Sequence, residues 1–211
     1  MKKVYFVRHG QSEGNLHKFS QSLTTELTEE GLKQAQIIAG RAKSLKFDLL
    51  VASNMTRAQQ TAEAIAVATG KDIITSELFR EKINPSAVIN KPHNGVTKQI
   101  LDEWWEKMGD PDYTTDGEKY SDLVERARQA WQWLENRPED VGLVVTHGLF
   151  VRIMLAQAIF QDGITPEIFK QCLRYCRTSN TGLSVFEIID DVKPVAWSLI
   201  TWNDQTHLGD N

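Results

Sequence analysis

Cysteine is scarce: two residues in 211 exclude a disulfide framework and, with no companions elsewhere, a zinc site that needs three or four ligands. Cys172 and Cys176 stand four apart on a predicted helix and share a face, which reads as a pair of buried, inert thiols. An excess of basic charge is also missing. Lys and Arg number 24 against 28 Asp and Glu, for a formal net charge of −4. No global positive field is present to hold nucleic acid or an anionic membrane, so attraction to an anionic ligand has to be local. The longest apolar stretch, residues 149–160, is interrupted by Arg152 and Gln157 and is too short to span a bilayer. Lys2-Lys3 is followed by too short an apolar run for a secretory signal. The expectation is one cytoplasmic domain over residues 1–211, long enough to bury a core without staples.

What is present are short, unbroken apolar runs separated by helical patterns. Val4–Val7, Asp48–Ala52 and Val141–Thr146 read as strands buried on both faces, the kind found in a parallel sheet. After the first, Thr28 is a good N-cap for a helix carrying Leu32, Ala35, Ile38 or Ala39, Ala42 and Leu45 at helical spacing. After the second, Ala58, Thr61, Ala62, Ile65 and Ala66 share a helix face that ends at Gly70. Asp72–Thr75 is a weak strand, and Ser121 begins a helix through Trp131 and Leu134. The helix of residues 149–160 is apolar nearly all round and therefore internal. The chain closes with a strand at Leu183–Ile189, a turn at Asp190-Asp191, a strand at Ala196–Thr201, and a polar, flexible tail over 203–211 that leaves His207 outside any site. This alternation predicts an α/β fold.

Between residues 82 and 117 the alternation stops. Asn84-Pro85, Lys91-Pro92-His93-Asn94-Gly95 and Gly109-Asp110-Pro111 are turn signals around a helix at 97–108. Ile100, Leu101, Trp104, Trp105 and Met108 share its apolar face, which suits either core packing or an aromatic wall for a ligand. Lys82, Lys91, His93 and Lys98 are either solvated charges or a positive rim for an acidic ligand.

Chemistry-bearing residues collect at strand ends, where open α/β sheets place ligands. Arg8-His9-Gly10 follows the first strand. Arg57 lies in the first turn of a helix, a position mildly unfavourable for a cation unless an anion faces it. Glu81 follows the weak strand, with Glu77 as the alternative carboxylate. His147-Gly148 follows the strand at 141–146.

Together Arg8-His9-Gly10, the run Ser53, Arg57, Ala58, Gln60, Thr61 and Ala62, Glu81, and His147-Gly148 resemble the histidine phosphatase superfamily, the phosphoglycerate-mutase-like proteins. The resemblance spans nearly the whole chain. It implies a three-layer α/β/α sandwich around a mostly parallel sheet of about six strands, with an insertion (82–120) covering the active site. It also implies that His9 is the nucleophile and Glu81 the proton donor. Arg8, Arg57, His147 and Gly148 would bind the phosphoryl group, with Asn15 and Ser12 as further contacts. The resemblance implies a phosphatase acting on small phosphomonoesters through a phosphohistidine, without cofactor or metal. Two other readings are a 2,3-bisphosphoglycerate-dependent phosphoglycerate mutase and a silent phospho-ligand binding module. Mutases of that kind usually carry Trp where this chain has Gly14, and an Arg-His-Tyr-Gly stretch that is missing here. Relatives commonly have His-Gly-Gly where this chain has His147-Gly148-Leu149. The partner is a small phosphorylated substrate, not nucleic acid or membrane, and the oligomeric state is open, a homodimer included.

Overall fold

The computed structural model describes residues 1–189 and 196–209, so the expected turn at Asp190-Asp191 lies outside the described residues. Six strands form one sheet in the order β3-β2-β4-β1-β5-β6: β1 (Lys3–Arg8), β2 (Leu49–Ser53), β3 (Ile73–Ser76), β4 (Val141–Thr146), β5 (Leu183–Ile189) and β6 (Ala196–Asp204). The first four in that order are parallel, and β5 and β6 add on antiparallel.

Seven α-helices accompany the sheet among the described residues: α1 (Glu13–His17), α2 (Glu29–Ala42), α3 (Thr56–Thr69), α4 (Gly95–Lys107), α5 (Tyr120–Glu135), α6 (Gly148–Phe160) and α7 (Pro166–Tyr175). The unbroken apolar strands are explained by two cores, one on each face. Val7, Leu50, Ala52, Leu143 and Val145 pack with α2 and α3, through Ala35, Ile38, Ala58 and Ile65. Val4, Phe6, Val51, Val144 and Phe186 pack with α5, α6 and α7, through Leu123, Trp131, Phe150, Met154 and Phe169. Each buried Val, Leu, Ile, Phe or Met among them contributes about 1.5–3 kcal/mol by leaving water. The result is the expected three-layer sandwich.

Three local expectations need correction. Leu32 is exposed, because Gly31 turns inward instead and lets α2 abut the loop after β1. There a Cβ on Gly31 would stand 1.9 Å from the Gln11 carbonyl oxygen, and one on Gly10 would stand 2.4 Å from that of Gly31. The end of α6 is not internal, since Ile159 and Phe160 face outward. The tail is not free from Asn203: β6 runs on to Asp204, whose carboxylate pairs with Arg41, and a short turn follows at Thr206–Leu208. Both cysteines are unpaired; Cys172 is buried and Cys176, at the end of α7, only half-buried. No helix among the described residues is long and apolar enough to cross a membrane.

Candidate active site

Sheet register assembles the site. β1 and β4 are parallel neighbours with Arg8 opposite Thr146, so the next residue of each strand, His9 and His147, emerges at the same edge. Their rings stand 5.0 Å apart between centroids. β2 is the other neighbour of β4, and its last residue, Ser53, places Oγ 2.8 Å from His147 Nε2. α3 starts just beyond, and Arg57 in its first turn points Nε to within 3.3 Å of His9 Nε2.

That contact fixes the His9 tautomer. His9 Nδ1 lies 2.7 Å from the Gly10 carbonyl oxygen, which can only accept, so Nδ1 carries the proton. Arg57 can only donate, so His9 Nε2 presents its lone pair. Burial, and next the nearby Arg57 and Arg8 guanidiniums, hold His9 well below the usual imidazole range. Burial, Arg57 and His9 do the same for His147. Both rings are neutral at neutral pH.

The stretch from Ser53 to Ala62 is wired to this centre residue by residue. The Thr61 hydroxyl accepts from Gly10 N–H at 3.1 Å, and the Gln60 side-chain carbonyl accepts from Leu27 N–H at 2.8 Å. Ala58 and Ala62 are buried against the sheet. Arg57 is buried and also donates to the Ser22 carbonyl at 3.0 Å. Arg8 donates through Nη1 to the Thr178 carbonyl at 2.7 Å. Burial, partly opposed by the Glu81 charge, lowers both guanidiniums to about 10. Arg8 Nε and His147 Nδ1 are buried with no protein partner among the described residues. Gly148 is required beside them: a Cβ there would stand 2.9 Å from Thr178 Oγ1 and 3.1 Å from Arg8 Nε.

Glu81 arrives from the segment after β3. Its carboxylate accepts backbone N–H bonds from Lys82 at 3.0 Å, and from Leu149 at 3.1 Å and Phe150 at 3.2 Å in the first turn of α6. Oε1 takes two of these bonds and Oε2 one, which leaves a lone pair of Oε2 to carry a proton. Glu77, the alternative, is exposed and lines a different groove. A buried ion pair supports Glu81 from behind. Glu118 takes a bidentate pair from Arg126 at 2.7 and 2.8 Å, and a contact from Arg80 at 3.2 Å. Arg126 Nη1 in turn donates to the carbonyls of Leu78 at 2.9 Å and Arg80 at 2.8 Å. Thr146 holds the Phe79 carbonyl at 2.7 Å. The chain before Glu81 is thus clamped from two directions.

Ser12 departs from expectation. It is fully buried and its hydroxyl serves the side-chain oxygens of Asn15 or Gln21, so it positions Asn15 and does not face the cleft. Asn15 itself lines the cleft. Sequence reasoning missed Asn180, which donates to the His9 carbonyl at 3.0 Å and to Asn15 at 3.2 Å, and Thr178. Their polar run just before β5 was a signal, since it ends at the same sheet edge.

Beside Arg57, which reaches His9, opens a cleft of about 490 Å³ whose lining includes Asn15, Arg57, Glu81, Lys82, Trp104 and Leu149. Its outer wall comes from the 82–120 segment. Trp104 serves both core and cleft: it is buried, with Nε1 donating to the Glu118 carbonyl at 3.0 Å. Trp105 lies edge-on to it, ring centroids 4.7 Å apart, and is half-buried. His93 lines the cleft tied to Ser20 Oγ at 2.9 Å, and Lys98 pairs with Asp102. Lys91 points to the Ala87 carbonyl and stays outside. Among the described residues no group of three or more His, Cys, Asp or Glu is arranged to hold a metal.

Comparison with known proteins gives the chain a family and matches its fold. The model of the histidine phosphatase superfamily (branch 1) matches residues 4–205. The probable phosphoglycerate mutase GpmB of Cronobacter sakazakii is 32% identical over 213 residues, covering 99% of this chain and 95% of that protein. Among solved structures, a mycobacterial glucosyl-3-phosphoglycerate phosphatase superposes with a TM-score of 0.79 at 21% identity, covering 97% of this chain and 100% of its own. Phosphoserine phosphatase of Entamoeba histolytica, in complex with 3-phosphoglyceric acid, gives a TM-score of 0.75 at 24% identity, with coverages of 99% and 100%.

Proposed function

Because the chain belongs to the histidine phosphatase superfamily, we propose that it is a metal-independent phosphatase that hydrolyses small phosphomonoesters through a phosphohistidine on His9. The observation that carries this reading is the state of His9: neutral, its Nδ1 proton held by the Gly10 carbonyl and its Nε2 lone pair facing the Arg57 guanidinium. Nε2 attacks phosphorus, the P–O ester bond breaks, and the leaving oxygen takes a proton from Glu81. The Glu81 carboxylate then takes a proton from water, whose oxygen attacks phosphorus and breaks the P–N bond. Inorganic phosphate leaves and both residues return to their starting states.

The transferring group is anionic throughout, and positioning with charge neutralisation is most of what its transition state requires. Arg8 and Arg57 bring two buried guanidiniums against one carboxylate, an excess of positive charge that an incoming phosphate would offset. The unpartnered Arg8 Nε is a donor suited to its oxygens, and His147 Nδ1 is a second one in the tautomer where Ser53 Oγ donates to Nε2. Backbone N–H groups at the start of α6 are taken by Glu81, so they serve the acid instead of the phosphate.

The mutase reading is favoured by the name of the Cronobacter relative. Against it, the Trp usual in cofactor-dependent mutases is Gly14 here, and the Gln21 side chain fills that space, so a Cβ would stand 2.1 Å from Gln21 Cγ and Gln21 would have to move. The test is phosphate release from a panel of phosphomonoesters in the presence of chelator, with His9→Ala alongside. Chelator-resistant release that the variant loses is expected. Interconversion of 2- and 3-phosphoglycerate only on addition of 2,3-bisphosphoglycerate would give the mutase, and silence in both assays the binding module.

A further inference from the structure

Lys82 is an unusual lysine. It is 6% exposed, yet its ammonium lines the cleft. One of its three N–H donors goes to Asn84 Oδ1 at 2.7 Å, and the Trp104 ring lies beneath it with the centroid 4.0 Å from Nζ. The acidic groups nearby are committed elsewhere. Glu118 is taken by Arg126, Arg80 and the Ile83 N–H, and Glu81 by three backbone N–H groups. Burial brings Lys82 down to about 8, against the pull of those two charges. A buried ammonium without an anion is costly, and a structure that retains one has a use for it or a partner that arrives later. The other basic residues of the outer cleft do not share this condition, since His93 is tied to Ser20 and Lys98 to Asp102.

We propose that Lys82 and Asn84 form a subsite for a carboxylate on the substrate, so that this site prefers phosphomonoesters of short hydroxy acids over those of neutral alcohols. The proposal rests on the phosphate-binding reading above. The second anion is a carboxylate because, among the described residues lining the outer wall, Lys82 is the one cation without an ion pair, which matches one negative charge and leaves a second phosphate dianion under-neutralised. Asn84, with its Oδ1 held by Lys82, turns Nδ2 free to donate to the second carboxylate oxygen. The carboxylate belongs on the same side of the cleft as the ester oxygen, because Lys82 and Glu81, which serves that oxygen, both line it. Leu101, Trp104 and Leu149 supply the apolar wall along which the carbon chain would run.

The test is calorimetric binding to His9→Ala protein, which does not depend on turnover, with 3-phosphoglycerate and glycerol 3-phosphate as the matched pair. With Lys82 in place, 3-phosphoglycerate should bind about 10- to 100-fold tighter, the range of one charge-assisted hydrogen-bond pair. Adding Lys82→Met should remove that preference and leave glycerol 3-phosphate within about threefold. Equal affinity for the two ligands in the Lys82 protein overturns the proposal, whether or not the Met variant folds. So does an equal loss on both ligands in Lys82→Met, which would mark a purely structural lysine. Binding of neither ligand would bring down the phosphate site itself and this inference with it. Phosphate release from neutral esters by the unaltered protein reports on the phosphatase reading separately.

Discussion

The two ends of the cleft are built differently. The inner pole is made by residues at or just past strand ends: His9 from β1, His147 from β4, and Arg57 in the first turn of the helix after β2. Each is buried, and of their side-chain polar atoms all but His147 Nδ1 have a protein partner among the described residues. The outer wall comes from the 82–120 segment, where a short turn at Ser86–Val88 and helix α4 replace strand ladders and several lining side chains are exposed. Sheet register is set by backbone hydrogen bonds and a buried face, so it tolerates little change. A loop-and-helix wall can change its side chains without disturbing the sheet. The difference suggests a chemistry fixed in the sheet and a selectivity written in the insertion. Glu81 stands at the join, carried on the outer segment but clamped to the inner one through α6, Thr146 and Arg126.

The strongest way to break this contrast acts at that join. Glu81→Gln should cost alkyl phosphates about 10²- to 10⁴-fold in kcat, the usual worth of a positioned acid. p-Nitrophenyl phosphate, whose leaving group hardly needs a proton, should lose far less. Equal losses on both esters would remove Glu81 from the acid role.

Next in size is the buried pair behind it. Glu118→Gln leaves Arg126 without its counter-charge in the interior, and should cost about 3–5 kcal/mol of stability in denaturant unfolding. Because the pair also holds the Leu78 and Arg80 carbonyls, the surviving folded enzyme should lose more activity on alkyl than on nitrophenyl esters. A variant equally impaired on both would show that the pair supports the fold without aiming Glu81.

The smallest effect is a pH dependence. His9, His147 and His207 are all held below the ordinary 6.5 by burial and neighbouring cations. Below 6.5 the unfolded chain therefore binds protons that the folded chain refuses. Stability is full above that pH and declines as pH falls toward the folded-state values. The carboxylates that are depressed, such as Asp204 beside Arg41, add their losses only at lower pH, below their ordinary 3.8. Unfolding midpoints should drop between pH 7 and 5, and most of the drop should persist in His207→Gln. A flat profile over this range would mean the inner imidazoles are not held neutral.

Much of the inner pole was legible in the sequence because strands buried on both faces leave unbroken apolar runs, and the residue after each run is then at the sheet edge. Val4–Val7 and Val141–Thr146 gave β1 and β4 nearly to the residue, and with them His9 and His147. Glu81 was legible only through its place in a family pattern, since nothing local distinguishes it from Glu77. The outer wall was legible as a helix with an aromatic face and nearby basic residues, but the roles of its side chains were not. Periodicity could not say that Trp104 would serve core and cleft together, or that Lys82 would be buried without an acidic partner. Both facts depend on contacts between Trp104, Glu118 and Asn84, residues far apart in pattern but neighbours in space. Ser12 was misread for a related reason: a small polar residue beside a site looks the same in sequence whether it faces the ligand or holds Asn15. The tail was read as free because its polarity hides the Arg41–Asp204 pair.

The central claim is that His9 Nε2 takes the phosphoryl group. The direct measurement is rapid quench of the enzyme with a radiolabelled phosphomonoester, followed by peptide mapping. The account predicts label on the peptide containing His9, stable in alkali, lost in acid, and absent from His9→Ala. Turnover with no labelled protein at any quench time, or label at another residue, would contradict it.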